Sequence, residues 1–196
     1  MTTPVDPLAV ALSVVRILDG LGIANTIGGS IASSFAGEPR STIDIDIVAA
    51  VGEADIPALI EAVTPDFYVD AEAIRRAIRT RGSANLIHHA TSLKVDLFIA
   101  GGTPLDARQL ARRRPVTVGS VTIHVHPPED ILLQKLHWYR KGREVSDRQW
   151  RDVLGIVRVQ GPRLDVEYLR ANAPALGIAD LLARALEEGR DADVVQ

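Results

Sequence analysis

The heptapeptide Thr42-Ile43-Asp44-Ile45-Asp46-Ile47-Val48 constrains this chain more than any other stretch. Its alternation has the period of a β-strand, with Ile43, Ile45 and Ile47 on one face and Asp44 and Asp46 on the other. Carboxylates are poor strand residues, so two on one face need an explanation. One is the wet face of an edge strand. The other is chemical: two side chains about 7 Å apart along a strand and pointing the same way can grip one or two hard cations.

A second feature lies just upstream. Gly28-Gly29-Ser30 stands where a short apolar run, Ile23 to Ile27, gives way to a helix-like segment, Ser30 to Ala36. Alone it is a turn signal. At the start of a helix, however, unpaired backbone amides hold phosphate oxygens, and glycine allows the phosphates to come close. A phosphate cradle followed by a pair of metal-binding carboxylates points to a nucleoside triphosphate held with magnesium.

The order Gly28-Gly29-Ser30, short helix, Arg40-Ser41-Thr42-Ile43-Asp44-Ile45-Asp46 resembles the polymerase-β-type nucleotidyltransferases. Within them it is most similar to the AbiEii and MenT group of bacterial toxin-related enzymes, whose motif runs glycine-glycine-small and then Arg-x-Thr-x-Asp-Ile/Leu-Asp. The match is close in this segment; elsewhere it rests on element order and hydropathy. The resemblance implies that Asp44, Asp46 and a third carboxylate on a neighbouring strand bind magnesium and act in catalysis. Asp96 fills that third place, in a strand Leu93 to Ile99 where Lys94, Asp96 and Phe98 share a face; read alone, it is a surface residue. Gly28, Gly29 and Ser30 would hold the nucleotide. Arg40 would touch the phosphates or anchor the loop. Lys135, which follows an acidic helix start, would be a triphosphate ligand; snorkelling beside the apolar stripe is its other reading.

The remaining elements follow local signals. Pro7 to Leu21 is a helix with Leu8, Leu12, Val15 and Leu18 at helical spacing, ended by Gly20 and Gly22. Helices are also expected at Glu53 to Val63, Ala71 to Arg81 and Thr103 to Arg114, with Pro115 as the stop. Strands are expected at Leu86 to His89, Leu93 to Ile99, Val116 to Val118 and Val121 to Val125, and a short strand or turn at Phe67 to Val69. From Pro127 the pattern is helical only: a helix from Pro127 to Lys141, one after the capping box at Ser146, then Asp165 to Ala173 and Ile178 to Glu188, with a frayed tail from Gly189. The expected fold is therefore α+β: a mixed, mostly antiparallel sheet backed by helices in residues 1–126, with a helical part in 127–196 packed on it and the nucleotide in the cleft between.

Composition narrows the function. A net charge of −3 over 196 residues marks no general nucleic-acid binder. Yet Lys135 to Arg151 holds six basic residues against two acidic ones, a local surplus that leans toward an RNA acceptor. The absence of cysteine removes disulfides and thiolate metal sites and fits a reducing cytoplasm. His88, His89, His124 and His126 lie on strands, but no third ligand is fixed for a zinc site. Leu8 to Val15 is too short to span a bilayer.

The expected activity is transfer of a nucleoside monophosphate from a triphosphate to a hydroxyl on an RNA end or a protein, with release of pyrophosphate, as in toxin-antitoxin systems. A small-molecule (antibiotic) adenylyltransferase and a non-catalytic nucleotide-binding or partner-recognition module are the alternatives. The base preferred, the oligomeric state and any antitoxin partner are not written in the sequence.

Overall fold

A computed structural model describes residues 6–39, 41–101 and 104–191. The chain divides into two compact units, residues 1–31 with 41–126, and residues 32–40 with 127–196. Among the described residues no helix is long and apolar enough to cross a membrane.

In chain order the first unit contains α1 (Pro7–Gly20), β1 (Asn25–Ile27), the start of α2 (Gly29–Ala36), β2 (Ile45–Ala49), α3 (Ile56–Val63), β3 (Phe67–Val69), α4 (Ala71–Thr80), β4 (Ser83–His88), β5 (Lys94–Ile99), α5 (Pro104–Arg112), β6 (Arg114–Val118) and β7 (Val121–Val125). The seven strands form one sheet in the order β3-β4-β5-β2-β1-β7-β6. Four pairings are antiparallel and two, β2 with β5 and β1 with β7, are parallel. This is the mixed, mostly antiparallel α+β sheet expected from the alternating segments.

One face of the sheet is a continuous aliphatic surface. Ile27, Ile45, Ile47, Leu86, Val95, Leu97 and Ile123 are buried there with Val14, Val15 and Leu18 of α1, Ile56 and Leu59 of α3 and Ile74 of α4. Each such side chain contributes about 1.5–3 kcal/mol when removed from water, so this face fixes the inward side of β2 and β5. Asp6 caps α1 by accepting from the Leu8 amide, and Asp70 caps α4 by accepting from that of Glu72. Arg81 ends α4 in the left-handed region.

Several boundaries differ from the sequence expectation. The strand begins at Ile45, not Thr42, because the ladder with β5 starts at Ile45 and that with β1 at Ile47. Ser41 to Asp44 form a loop, and Ile43, expected to share a strand face with Ile45 and Ile47, is 72% exposed. β4 starts three residues early, at Ser83, because β5 pairs with it along its full length. α5 stops at Arg112, and Arg114-Pro115 open β6 instead of ending the helix; a proline is tolerated there because β6 is an edge strand. Thr103 lies outside the described residues.

The second unit contains the rest of α2, then α6 (Pro128–Lys141), α7 (Asp147–Gln160), α8 (Val166–Asn172) and α9 (Ala179–Asp191). Its core joins Leu132, Leu133 and Leu136 of α6, Val153, Ile156 and Val157 of α7, and Leu181, Leu182 and Ala185 of α9. Ala32 and Ala36 belong to this core, and at Gly37 the chain runs so close to α7 that a Cβ would lie 2.9 Å from the Ile156 nitrogen. Glu38 then accepts from Arg158. These contacts explain why residues 32–40 leave the unit of their chain neighbours. Asp130, fully buried at the start of α6, accepts from the Tyr168 hydroxyl at 2.6 Å, and Glu129 accepts from the Asp165 amide at 3.1 Å. Ser146 caps α7 as its capping box implies. α9 continues to Asp191, past the point where fraying was expected at Gly189.

Candidate active site

The register of β2 with β5 sets the site. Asp46 lies beside Asp96 in a parallel ladder whose flanking pairs are Ile45 with Val95 and Ile47 with Leu97. Because those flanking side chains are buried on the aliphatic face, Asp46 and Asp96 stand together on the opposite one. Their backbones are about 4.8 Å apart, the spacing of neighbouring strands. Asn85 of β4 is in register with Asp96 and adds a neutral polar group to that face.

Asp44 precedes β2 and is exposed; its amide donates to Thr42 Oγ1 at 3.1 Å. It therefore hangs from a hydroxyl-stapled loop, not from the rigid ladder.

The glycine pair is built against Asp46. The Gly28 amide donates to the Asp46 carbonyl at 2.8 Å. That amide is thus committed to the sheet, and the role left to Gly28 is to hold the turn. Gly29 begins α2 with φ +55°, and a Cβ there would fall 1.7 Å from Asp46 Oδ2. Only glycine fits, for both conformation and space. Ser30 follows, half-buried, in the first turn of α2, where the outward-facing amides favour anions. Arg40 lies outside the described residues.

Lys94, at the start of β5, was given no role by the sequence. Its Nζ is 2.8 Å from Asp96 Oδ2. Hydrogen bonding to Asp96, reinforced by the charges of Asp96, Asp44 and Asp46, holds the ammonium above the usual lysine value against a small cost of burial. The signal was available in the strand period, since Lys94 and Asp96 share a face, but nothing in the sequence distinguishes such a lysine from an ordinary solvated one.

Lys135 sits in the second unit, on α6. Its Nζ donates to Asp152 Oδ2 of α7 at 2.8 Å, both side chains being about nine-tenths buried. Sequence reasoning missed Asp152 because the pair joins two helices across 17 residues. Of the other basic residues in this stretch, Arg140 is bound by Asp180 and Glu144, and Lys141 lies over the Trp138 ring. The basic surplus is thereby partly neutralised by its own surroundings.

The donor set of the first unit suits a hard divalent cation: it consists of carboxylate oxygens, one of which already holds a cationic group. Among the described residues no three carboxylate or imidazole side chains are grouped closely enough to hold a metal ion. The strand histidines make other contacts: His88 with Thr91 Oγ1, His89 with the Thr64 carbonyl and His126 with the Gln109 carbonyl.

Solved structures share this arrangement of sheet and helices. An antigenic nucleotidyltransferase-like protein from Paracoccidioides brasiliensis superposes with a TM-score of 0.57 at 18% identity, covering 92% of each chain. The chain has the nucleotidyltransferase fold. The antibiotic-resistance factor ANT(2'')-Ia is similar in its solution structure, with a TM-score of 0.55 at 14% identity over 96% of this chain and 100% of that one. Its crystal structure with adenylyl-2''-tobramycin gives a TM-score of 0.56 at 12% identity over 86% and 97%. No family model matches the chain, and no curated protein matches it either.

Proposed function

We propose that this protein is a magnesium-dependent nucleotidyltransferase that moves a nucleoside monophosphate from a nucleoside triphosphate to an acceptor hydroxyl. The observation that carries the reading is the register of Asp46 with Asp96, with Gly29 packed against Asp46, in a nucleotidyltransferase fold. Asp44, Asp46 and Asp96 would hold the magnesium, which when bound neutralises charge on the triphosphate. Gly29 and Ser30 present the amides at the start of α2 to the outer phosphates. Asp96 accepts the proton of the acceptor hydroxyl. That oxygen forms a bond to the α-phosphorus in line, the bond from the α-phosphorus to its bridging oxygen breaks, and pyrophosphate leaves with the electron pair. Lys135, paired with Asp152, is a further candidate ligand of the triphosphate.

The AbiEii- and MenT-like motif supports an acceptor on an RNA end or a protein, with a toxin role and an antitoxin partner as its corollary. The likeness to ANT(2'')-Ia over almost the whole chain supports a second acceptor class, a small polyhydroxyl antibiotic. The experiment is incubation of the protein with magnesium and α-phosphate-labelled nucleotides in the presence of total RNA, lysate protein or an aminoglycoside. Label should pass to one class, with an equal yield of pyrophosphate, and the Asp44→Ala/Asp46→Ala protein should transfer none. Binding of nucleotide without transfer to any class would leave a nucleotide-binding module instead.

A further inference from the structure

Asp46 and Asp96 place two negative charges on adjacent strands, an arrangement that is unfavourable unless something of opposite charge lies beside it. Lys94 supplies such a charge to Asp96. Its side chain is 54% exposed, yet its ammonium is directed along the strand onto Asp96, within the field of Asp44 and Asp46. We propose that Lys94 is a resident counter-ion of Asp96, seated on the oxygen that a divalent cation needs, so that metal entry displaces it. The inference rests on the reading of Asp44, Asp46 and Asp96 as metal-holding residues.

Three observations argue for it. An ammonium in contact with Asp96 Oδ2 and a divalent cation on the same oxygen repel each other, so the two occupy the site in turn. Among the described residues the carboxylates are not gathered as a three-ligand set, and the group that Asp96 holds is the lysine. The lysine is also free to leave: its ammonium sits on a flexible four-carbon stem and is mostly solvated. Once displaced, it remains next to the triphosphate that accompanies the metal. The consequence is a site with weakened affinity for metal alone, filled when metal and nucleotide arrive together.

The test is manganese binding without nucleotide, followed by electron paramagnetic resonance and by calorimetry at fixed ionic strength. Lys94→Met should bind manganese about two- to fivefold more tightly than wild type, the range an exposed ion pair supplies, and Lys94→Arg should stay near wild type. In an Asp96→Asn background, Lys94→Met should have no effect. Circular dichroism establishes that each variant is folded, which the exposure of residue 94 favours. Equal or weaker manganese binding by Lys94→Met overturns the inference, as does a gain that persists without Asp96. Manganese binding by none of the proteins overturns this inference, and its absence with nucleotide present as well overturns the metal reading of the carboxylates too.

Discussion

Asp46 Oδ2 occupies the space that a side chain at position 29 would need: a Cβ on Gly29 would lie 1.7 Å from it. The turn that begins α2 and the carboxylate on β2 are therefore one unit, and neither can be altered without moving the other. Gly29→Ala should both strain a backbone held at φ +55° and push the Asp46 carboxylate aside. Gly119→Ala is the matched control, since it has a similar φ of +60° and open space around it. Both should lose about 1 kcal/mol of stability from strain. Only Gly29→Ala should also weaken magnesium-ATP binding, by at least about tenfold, which is about 1.4 kcal/mol. Thermal denaturation and calorimetry separate the two effects, and unchanged affinity in Gly29→Ala would remove Asp46 from the site.

The carboxylates on the two strands should differ in what they control. Asp96→Asn is expected to keep most of the magnesium-nucleotide affinity but to lose transfer by on the order of a hundredfold, because it removes a proton acceptor used in the transition state. Asp44→Ala with Asp46→Ala should abolish metal-dependent binding itself while leaving the far-ultraviolet circular dichroism unchanged. A parallel loss of binding and transfer in Asp96→Asn would assign Asp96 to metal binding alone.

Lys135 and Asp152 form an ion pair with side chains only 11% and 8% exposed. Removing one partner strands a charge in poor solvent, so Asp152→Asn should lower the unfolding free energy by about 3 kcal/mol. Urea denaturation with an unchanged slope would measure it. If Lys135 is also a triphosphate ligand, Lys135→Met should reduce nucleotide affinity in conditions where the variant is fully folded; an undiminished affinity would make the lysine purely structural.

The second unit carries its own acid response. Glu188 accepts from Arg184 and from the Trp150 indole at 2.8 Å, and these two hydrogen bonds hold its carboxyl below the ordinary glutamate range. Its folded pKa is thus depressed relative to the value of about 4.3 in an unfolded chain. The resulting stabilisation is complete above that unfolded value and disappears as pH falls through the lower folded pKa. In a Trp138→Phe background, Trp150 fluorescence should change as pH falls below the unfolded glutamate value of about 4.3. Glu188→Gln should remove that transition. A fluorescence step that survives the substitution would assign it to another acid.

Much of this organisation is local and can be read from the chain alone. The alternation around Asp46, the glycine pair ahead of a helix, the cap at Ser146 and the change to helices after Pro127 are short-range patterns. Backbone geometry forces them within a few residues of where they are written. The α+β class followed from their order, and the nucleotidyltransferase fold from the resemblance carried by Gly28 to Asp46.

What only the tertiary structure decided is who stands beside whom. The strand starts at Ile45 because ladder partners start there, which leaves Ile43 and Asp44 in a loop although their alternation is perfect. Asp96 stands beside Asp46 through a parallel pairing of segments 50 residues apart, a register that no periodicity records. Lys94 and Asp96 share a strand face already in the sequence, but only the register brings Asp46 beside them, and Lys135 meets Asp152 because α6 and α7 pack side by side. Periodicity and capping are properties of neighbouring residues; ion pairing and strand register depend on which surfaces close over the core, and that is settled only when the whole chain has folded.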